Sequence, residues 1–573
     1  MIDALPPSTL SNPTVEKGEI PKKDSKIVYK LRDSEEMRNA TIIGRGGTAR
    51  GVNKFYCNIE NEDKSLSGLN METVEGWKYA DQILLLADHA STDILEAKMK
   101  ELQNLHKHNV VTEVEDDGQF MVESRWVLTE KFKDGNKITK ARLVAKGFQE
   151  KNNKDLRKDS PTILKVNLRL IACISSCYGW KVKALDIRSA FLQGQLIDRD
   201  VYLKPPVEAG LDQKVWKLNK ALYGLGDASR KWYLKVKNIL LRLGVKMSIY
   251  DEALFYYHVK GILHGLIGIH VDDFFHSGSK SFTLNVMNVL KEEFEISQEE
   301  ETYFDYVGLE IGQEKSSISF HQEKYIQDLT QIKFDSKSRK NDALSKDKVK
   351  ELRSLVGQLA WASNQTRPDI AFDVCQLSVS INNATYEDVA RANKCVKRLK
   401  NDHVSISFPP LGNIKDCKLV VYADASFKNL PGGGSQGGYI VFMQNQSGSH
   451  APLAWQSRKL KRVVKSTLGA ETLALMDGVE CAFLCKTTIK ELIGFECGLS
   501  IKAKTDSKSL VDTVHTSKTL EDDRVKVDIC VLRDYLRLEE LQQIEWVDTK
   551  EQLADSLTKS GASAHKLLDA LML

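Results

Sequence analysis

The run from Gly265 to His276 sets two adjacent carboxylates, Asp272 and Asp273, between two strongly β-forming apolar stretches. Successive side chains of a strand point to opposite faces, so neighbouring carboxylates reach one site only where a tight turn joins two strands. The run therefore reads as a hairpin with acids at its tip. Like charges held together there need a cation, and Mg²⁺ is the divalent ion that takes carboxylate and substrate phosphate oxygens. That points to phosphoryl transfer on nucleotides. A further ligand has to come from a neighbouring strand, and the segment Trp180 to Phe191 offers Asp186 at the end of a short apolar strand.

Five ordered segments, Lys140 to Phe148, Asp186 to Gly194, Ala221 to Leu225, Val271 to Asp273 and Thr366 to Ile370, resemble the reverse transcriptase of copia-type LTR-retrotransposon polyproteins. Such a series is far more specific than any one of its members. The resemblance implies an RNA-directed DNA polymerase in which Asp186 and Asp272 hold two Mg²⁺ ions, with Mn²⁺ as the alternative, and Asp273 supports them. It also implies partners: an RNA template, a DNA primer and deoxynucleoside triphosphates. Phe191 matches the aromatic residue beneath the sugar that excludes a ribose 2′-hydroxyl; a plain core Phe is the other reading. Arg142 and Lys146 match basic residues that hold the triphosphate, and the guanidinium fork of Arg142 suits phosphate geometry best. Tyr223 and Gly224 match the floor of the nucleotide pocket. The chain departs from the family pattern at His270, where Tyr is usual, and at Gly226 to Ser229, where the family has Lys-Gln-Ala-Pro. The second departure removes a positive charge and adds a negative one, Asp227, beside the proposed pocket.

A second set of acids follows residue 415. Lys418 to Ser426 reads as a strand carrying Asp424, followed by a Gly-rich turn and the strand Gly438 to Phe442. Ser466 or Thr467 can cap a helix that presents Glu471, and the strand Leu499 to Thr505 ends at Asp506. Asp555 lies in the run Gln552 to Lys559. The order of these acids, on strand, helix, strand end and helix start, resembles the ribonuclease H domain of the same polyproteins. The resemblance implies four carboxylates around two metal ions, acting on the RNA strand of an RNA/DNA hybrid. His515 falls near Asp506, but the family does not depend on a His there, so it reads as a loop residue.

Composition agrees with several packed modules. At 573 residues the chain is long enough for three or four domains. Its 42% hydrophobic and 28% charged content can bury cores. The ten cysteines form no paired Cys-x-x-Cys set, and Cys173/Cys177 and Cys481/Cys485 are spaced as helix neighbours, so free core thiols are expected. No apolar run reaches membrane-spanning length and no signal peptide is evident. A cytoplasmic particle is the expected location, with the nucleus as the alternative. The net charge of +4 hides a basic stretch from Arg125 to Arg169, with 13 Lys or Arg against 5 Asp or Glu. In this setting it reads as a surface for phosphate backbones.

The expected architecture is α+β: a right-hand polymerase of fingers, palm and thumb, followed by a ribonuclease H-like α/β domain. Residues 1–75, with Pro6, Pro7, Pro13 and Pro21, read as a polar tail or linker. Gly44 to Gly47 lacks the ending of a nucleotide loop. A helix from Ala90 to Leu105 leads into fingers and palm over 76–280. The end of the palm and a thumb or connection occupy 281–415, with a helical stretch from Glu351 to Leu377 broken at Arg367 and Pro368. The nuclease module fills 416–573. No protease triplet, integrase zinc module or zinc knuckle is present, so the chain resembles the C-terminal portion of a polyprotein, a truncated copy, or a host gene derived from one. Dimerisation or association with other Pol or Gag products is left open. The alternative function is a domesticated or degenerate copia-derived protein that binds nucleic acid without catalysis.

Overall fold

The computed structural model describes backbone strands within 2–75, and then residues 92–572 apart from 134–135, 152, 212, 335–337, 495–497 and 517–521. The chain divides into two compact units, residues 1–159 with 191–232, and residues 160–190 with 233–573.

In the first unit, the segment read from composition as tail or linker contributes Ile2–Ala4, Lys26–Leu31, Met37–Ala49, Val52–Ile59 and Met71–Glu75 as an antiparallel meander in chain order. Its four prolines lie outside the described residues, as do 76–91, where the polymerase region was expected to begin. Gly44 to Gly47 sits inside the strand Met37–Ala49, where the register shifts twice, as glycine-marked bulges do. The helix expected from Ala90 runs over Thr92–Lys107, its first two residues lying outside the described ones. It packs Leu102 and Leu105 into a core with Leu143, Trp216 and Leu222. A four-stranded sheet of Val111–Glu115, Lys214–Leu218, Tyr202–Leu203 and Met121–Val122 shares this core. Beside it in sequence, Ser124–Lys133 and Asn136–Ala145 pair as a long hairpin that carries part of the basic stretch.

The second unit contains a six-stranded antiparallel sheet in the order Lys246–Met247, Leu254–Val259, Ile262–His270, Asp273–Gly278, Val182–Ile187 and Ile296–Glu301. Near-continuous runs of apolar, aromatic and β-branched residues build the inner strands, as in Leu254–Val259 and Ile262–His270. The helix Lys165–Tyr178 covers the sheet, with every residue from Asn167 to Ser176 buried. A second sheet of Tyr303–Tyr306, Leu309–Glu314, Ser317–His321 and Ile406–Phe408 follows. Three helices, Lys346–Gln365, Ala371–Ser380 and Tyr386–Asn401, form their own apolar cluster. The break expected at Arg367 and Pro368 is a single 3₁₀ turn, Pro368–Ile370. Arg367 is wholly buried there, donating to both oxygens of Asp369 at 2.9 and 3.0 Å and to the carbonyls of Leu399 and Asp402.

The last sheet orders His450–Lys459, Gly434–Gln444, Lys418–Leu430, Ser500–Thr505 and Gln543–Trp546. The first three strands are antiparallel and the last two run parallel to Lys418–Leu430 and to each other. The long helix Thr467–Ile493 packs on this sheet. One continuous core joins Leu170, Ile171 and Cys173 to Leu419, Val421, Val441 and Met443. The fold class expected from the sequence, α+β with a ribonuclease H-like sheet at its end, is the one observed. All eight described cysteines are free, and no described helix is long and apolar enough to cross a membrane.

Candidate functional site

The hairpin comes first. Ile262–His270 and Asp273–Gly278 pair from Gly265 opposite Gly278 to His270 opposite Asp273, leaving Val271 and Asp272 as a two-residue turn. Val271 has φ +59°. That conformation is rare for a β-branched residue, so the turn is held by its surroundings rather than by its own preference. On the other side, Val182–Ile187 pairs with Asp273–Gly278 so that Asp186 stands directly opposite Asp273. Directly opposed residues of an antiparallel pair share a face. Asp272 is tied to the same edge through its carbonyl, which accepts from the Ile187 N–H at 3.3 Å. All three acids are half-buried. The register thus sets Asp273, rather than Asp272, across from Asp186. Near it, Tyr306 is buried and its hydroxyl has no partner; burial, then the charge of Asp273, pushes its pKa up. His270 is itself half-buried and bridges to Thr162.

Three of the four residues expected to hold nucleotide come together in the first unit. The Arg142 guanidinium lies 5.6 Å from the centre of the Tyr223 ring, and Tyr223 lies 5.2 Å from the Phe191 ring. Lys146 is turned elsewhere: its Nζ meets Glu123 Oε2 at 2.5 Å, and this contact holds the Glu123 carboxyl below its usual range. The Lys140–Phe148 and Ala221–Leu225 motifs meet backbone to backbone, with Ala145 N–H donating to Tyr223 O at 2.7 Å. A Cβ on Gly147 would lie 2.3 Å from Gly224 O, and Gly224 has φ +89° and would meet Ala145 O. Both positions need glycine. Asp227 does not face an open pocket. It is buried, and Arg199 grips both its oxygens at 2.7 and 2.9 Å while also holding Glu150. At Gly226, the stem of Lys158 fills the space a side chain would take, 2.9 Å from a built Cβ.

The later acids make the tightest centre. Asp424 lies in the strand Lys418–Leu430, Glu471 in the second turn of the helix Thr467–Ile493, and Asp506 just past Ser500–Thr505. Ser466 caps that helix by accepting from Gly469 N–H, as the sequence allowed. Parallel pairing of Tyr422 with Lys504 carries Asp424 and Asp506 to the same end of neighbouring strands. Their ligand oxygens and one of Glu471 all lie within 4.8 Å of one another. Asp424 is fully buried, Glu471 nearly so, and among the described residues Glu471 Oε2 has no hydrogen-bond partner. Burial, then the facing Asp424 and Asp506, pushes Glu471 up to about 9. Burial pushes Asp424 up to about 6 against the pull of Lys559. Hard oxygen donors crowded in this way, with one left unsatisfied, fit a divalent cation.

Asp555 starts a 3₁₀ turn, Asp555–Leu557, but its carboxylate is not one of that group. It is paired with Lys559, whose ammonium also lies 3.4 Å from Asp424 Oδ1. Thr558 Oγ1 donates to the other oxygen of Asp424. Thr558 and Lys559 end the run Gln552 to Lys559 in which Asp555 lies. Their fold-back onto Asp424 is what motif reading missed, and the i, i+4 spacing of Asp555 and Lys559 was its one local sign. His515 is the last residue of the helix Lys508–His515 rather than a loop residue, with Nε2 3.4 Å from Ile544 O, outside the triad. The triad opens into a cleft of about 640 Å³ lined also by Phe372, Phe427, Asn429 and Thr467. A larger cleft of about 720 Å³ around Ser317 and Ser405 shares no residue with it.

Residues 108–340 match the family described as reverse transcriptase (RNA-dependent DNA polymerase). The retrovirus-related Pol polyprotein from transposon RE1 of Arabidopsis thaliana is 28% identical over 469 residues, 77% of this chain and 31% of the polyprotein. That from transposon TNT 1-94 of Nicotiana tabacum is 27% identical over 520 residues, 83% of this chain and 37% of the polyprotein. The chain therefore spans about a third of the length of these relatives. A solved foamy viral protease-reverse transcriptase in complex with double-stranded DNA is 14% identical, with a TM-score of 0.49, over 80% of this chain and 70% of its own. The reverse transcriptase match over its centre and the polyprotein matches over most of its length make this chain similar to the Pol polyproteins of copia-type retrotransposons.

Proposed function

We propose that the chain is an RNA-directed DNA polymerase with a fused ribonuclease H, extending a DNA primer on RNA and then hydrolysing the copied RNA strand. The observation that carries this reading is that acids far apart in sequence are brought together twice, once by strand register and once by close approach of their carboxylates. Asp186 and Asp273 face each other across strands beside Asp272, and Asp424, Glu471 and Asp506 converge within 4.8 Å. Asp186 with Asp272 and Asp273 would hold Mg²⁺ for polymerisation, and Asp424, Glu471 and Asp506 would hold it for hydrolysis. When bound, such ions neutralise the charge that develops on the attacking and leaving oxygens.

The chain's own residues would supply the rest. Arg142, stacked toward Tyr223, offers a planar fork of donors to the triphosphate of an incoming nucleotide. Phe191, in contact with Tyr223, offers an apolar surface to the sugar. Lys146 would have to leave Glu123 to join them. In the nuclease centre, Thr558 and Lys559 fix both oxygens of Asp424, so that its orientation is set before substrate arrives.

The test is incorporation of deoxynucleotides on a homopolymeric RNA template with a DNA primer, together with cleavage of a labelled RNA/DNA hybrid. Asp272→Asn is expected to abolish the first and Glu471→Gln the second, each leaving the other intact. Wild-type protein that binds hybrid yet matches its variants in both assays would establish the non-catalytic, domesticated alternative.

A further inference from the structure

The family resemblance implies four carboxylates around two metal ions, and the residues present fit only part of that arrangement. Asp424, Glu471 and Asp506 bring one oxygen each within 4.8 Å of one another, a set for a single ion. Asp555 is outside it. Its carboxylate is taken by the ammonium of Lys559, one turn further along the chain, and that ammonium reaches on to Asp424 Oδ1 at 3.4 Å. Two metal ions that share a carboxylate sit about 3.5–4 Å apart. Lys559 Nζ therefore stands between the two acids that a second ion would have to bridge.

Lys559 is half-buried and its root is fixed. The N–H groups of Lys559 and Thr558 both donate to Asp555 O, at 3.2 and 3.1 Å, and close the turn that carries both partners. The carbonyl of Thr558, a wholly buried residue, accepts from Ser426 Oγ at 2.8 Å and from Asn429 Nδ2 at 3.2 Å. Ser426 and Asn429 belong to the strand Lys418–Leu430, which also bears Asp424. The strand thus pins the turn that presents the ammonium. Burial works against the charge of Lys559, but Asp424 and then Asp555 outweigh it and push its pKa up. Thr558 Oγ1 donates to Asp424 Oδ2, so both oxygens of Asp424 are engaged from this one turn. An ammonium is a compact charge with donors on every side and no acceptor, which is what a place among carboxylate oxygens asks of a cation.

We infer that Lys559 is a built-in cation of the nuclease centre: its ammonium holds the place between Asp424 and Asp555, so that the centre takes one divalent ion, in the triad, and no second. The inference deepens the nuclease reading above and rests on it. Asp555 then has a different task from the other three acids, orienting a lysine rather than a metal ion. Two positive groups cannot share that space, so a second ion binds only when the ammonium is gone.

The test counts ions in the full chain carrying Asp272→Asn and Asp273→Asn, which takes the hairpin acids out of the count, with Mn²⁺ titrated and the free ion read by electron paramagnetic resonance. Asp424→Asn in the same background is the blank, because both places need Asp424. Above that blank the parent is expected to bind one Mn²⁺ and Lys559→Gln two, with thermal melting to check that the variant is folded. A parent count other than one overturns the inference whatever the variant does. One ion in both proteins overturns it as well, because removing the ammonium would then have opened no second place. Hybrid cleavage by the same parent should rise with the first power of Mg²⁺ below saturation, and a rise with the second power overturns the inference. Both parent measurements decide the matter even if Lys559→Gln does not fold. Counts of one and two without cleavage at any Mg²⁺ concentration would keep the lysine in its place and remove the nuclease reading.

Discussion

Asp227 shows how a single residue can be read in its motif and still be misjudged. Set beside the family pattern it is an added negative charge near a nucleotide pocket, but Arg199 holds it in a buried bidentate pair. The partner lies 28 residues away and nothing local announces it. Asp424, Glu471 and Asp506 were far more legible, because their order on strand, helix and strand end is the one that the resemblance implied. Asp555 was the exception, since its pairing with Lys559 depends on how the closing turn folds back. The triad also makes a prediction about pH. Burial and mutual repulsion raise Glu471 to about 9 and Asp424 to about 6, from ordinary values near 4.5 and 3.8. The folded state therefore keeps protons that the unfolded chain releases, which favours folding below about pH 4 and is lost as pH climbs through the folded values. In EDTA, the melting temperature of Glu471→Gln should rise relative to wild type between pH 5 and pH 9. Saturating Mg²⁺ selects the ionised carboxylates and should close that gap by stabilising the wild type alone. A difference that stays flat with pH would show that the carboxylates are not coupled as drawn.

At the level of elements, the hairpin bearing Asp272 and Asp273 was legible because alternation and a two-residue turn are sequence properties. Less visible was why its strands contain Gly265, Gly268 and Gly278, residues that weaken strands. Gly265 and Gly278 are cross-strand partners, and a Cβ on either would come within 2.4 Å of the Phe282 ring. That ring is buried in the short helix after the hairpin, Lys280–Phe282, capped by Ser279. The glycines form its seat. Gly268 similarly makes room for Ile163, 2.3 Å from a built Cβ. Ala has the better strand preference, by some tenths of a kcal/mol, yet the overpacking it causes costs about 1–3 kcal/mol, so packing wins. Gly265→Ala is expected to destabilise the protein by about 2 kcal/mol in denaturant unfolding. A double Gly265→Ala, Phe282→Leu variant should recover part of that loss, and no recovery would remove the Phe282 contact as the cause. The five N-terminal strands were illegible for a different reason. Mixed charge and prolines dominate the composition of residues 1–75, and the average hides short segments that alternate.

Across the second unit as a whole, the six-stranded sheet and the last, five-stranded sheet are not two cores joined by a linker. The helix Lys165–Tyr178 buries Leu170, Ile171 and Cys173 in the same apolar cluster as Leu419, Val441 and Met443. Arg169 sits in the middle of it, 5% exposed, with its guanidinium 3.6 Å from the centre of the Trp455 ring. It donates to Leu453 O in the strand His450–Lys459 at 3.1 Å, and to Asn364 O and Gln365 O at the end of the helix Lys346–Gln365 at 2.7 and 3.0 Å. Trp455 returns a bond to Ser363 O at 2.9 Å. Among the described residues no carboxylate pairs with this cation; three carbonyls and one aromatic face stabilise it. Arg169→Met keeps much of the volume and removes a costly buried charge. It also strips donors from three carbonyls, at about 1–3 kcal/mol each, and a cation–π contact of about 2 kcal/mol. The second sum exceeds the first, because the native site already compensates the guanidinium, so the variant should lose about 3 kcal/mol or more. What distinguishes this joint from a local defect is the form of the loss. If one core spans both sheets, calorimetry should show Arg169→Met melting in a single transition shifted downward. Nucleotide incorporation and hybrid cleavage would then be lost at the same temperature. Early unfolding of the last sheet while incorporation survives would show that the shared cluster is contact between two independent cores.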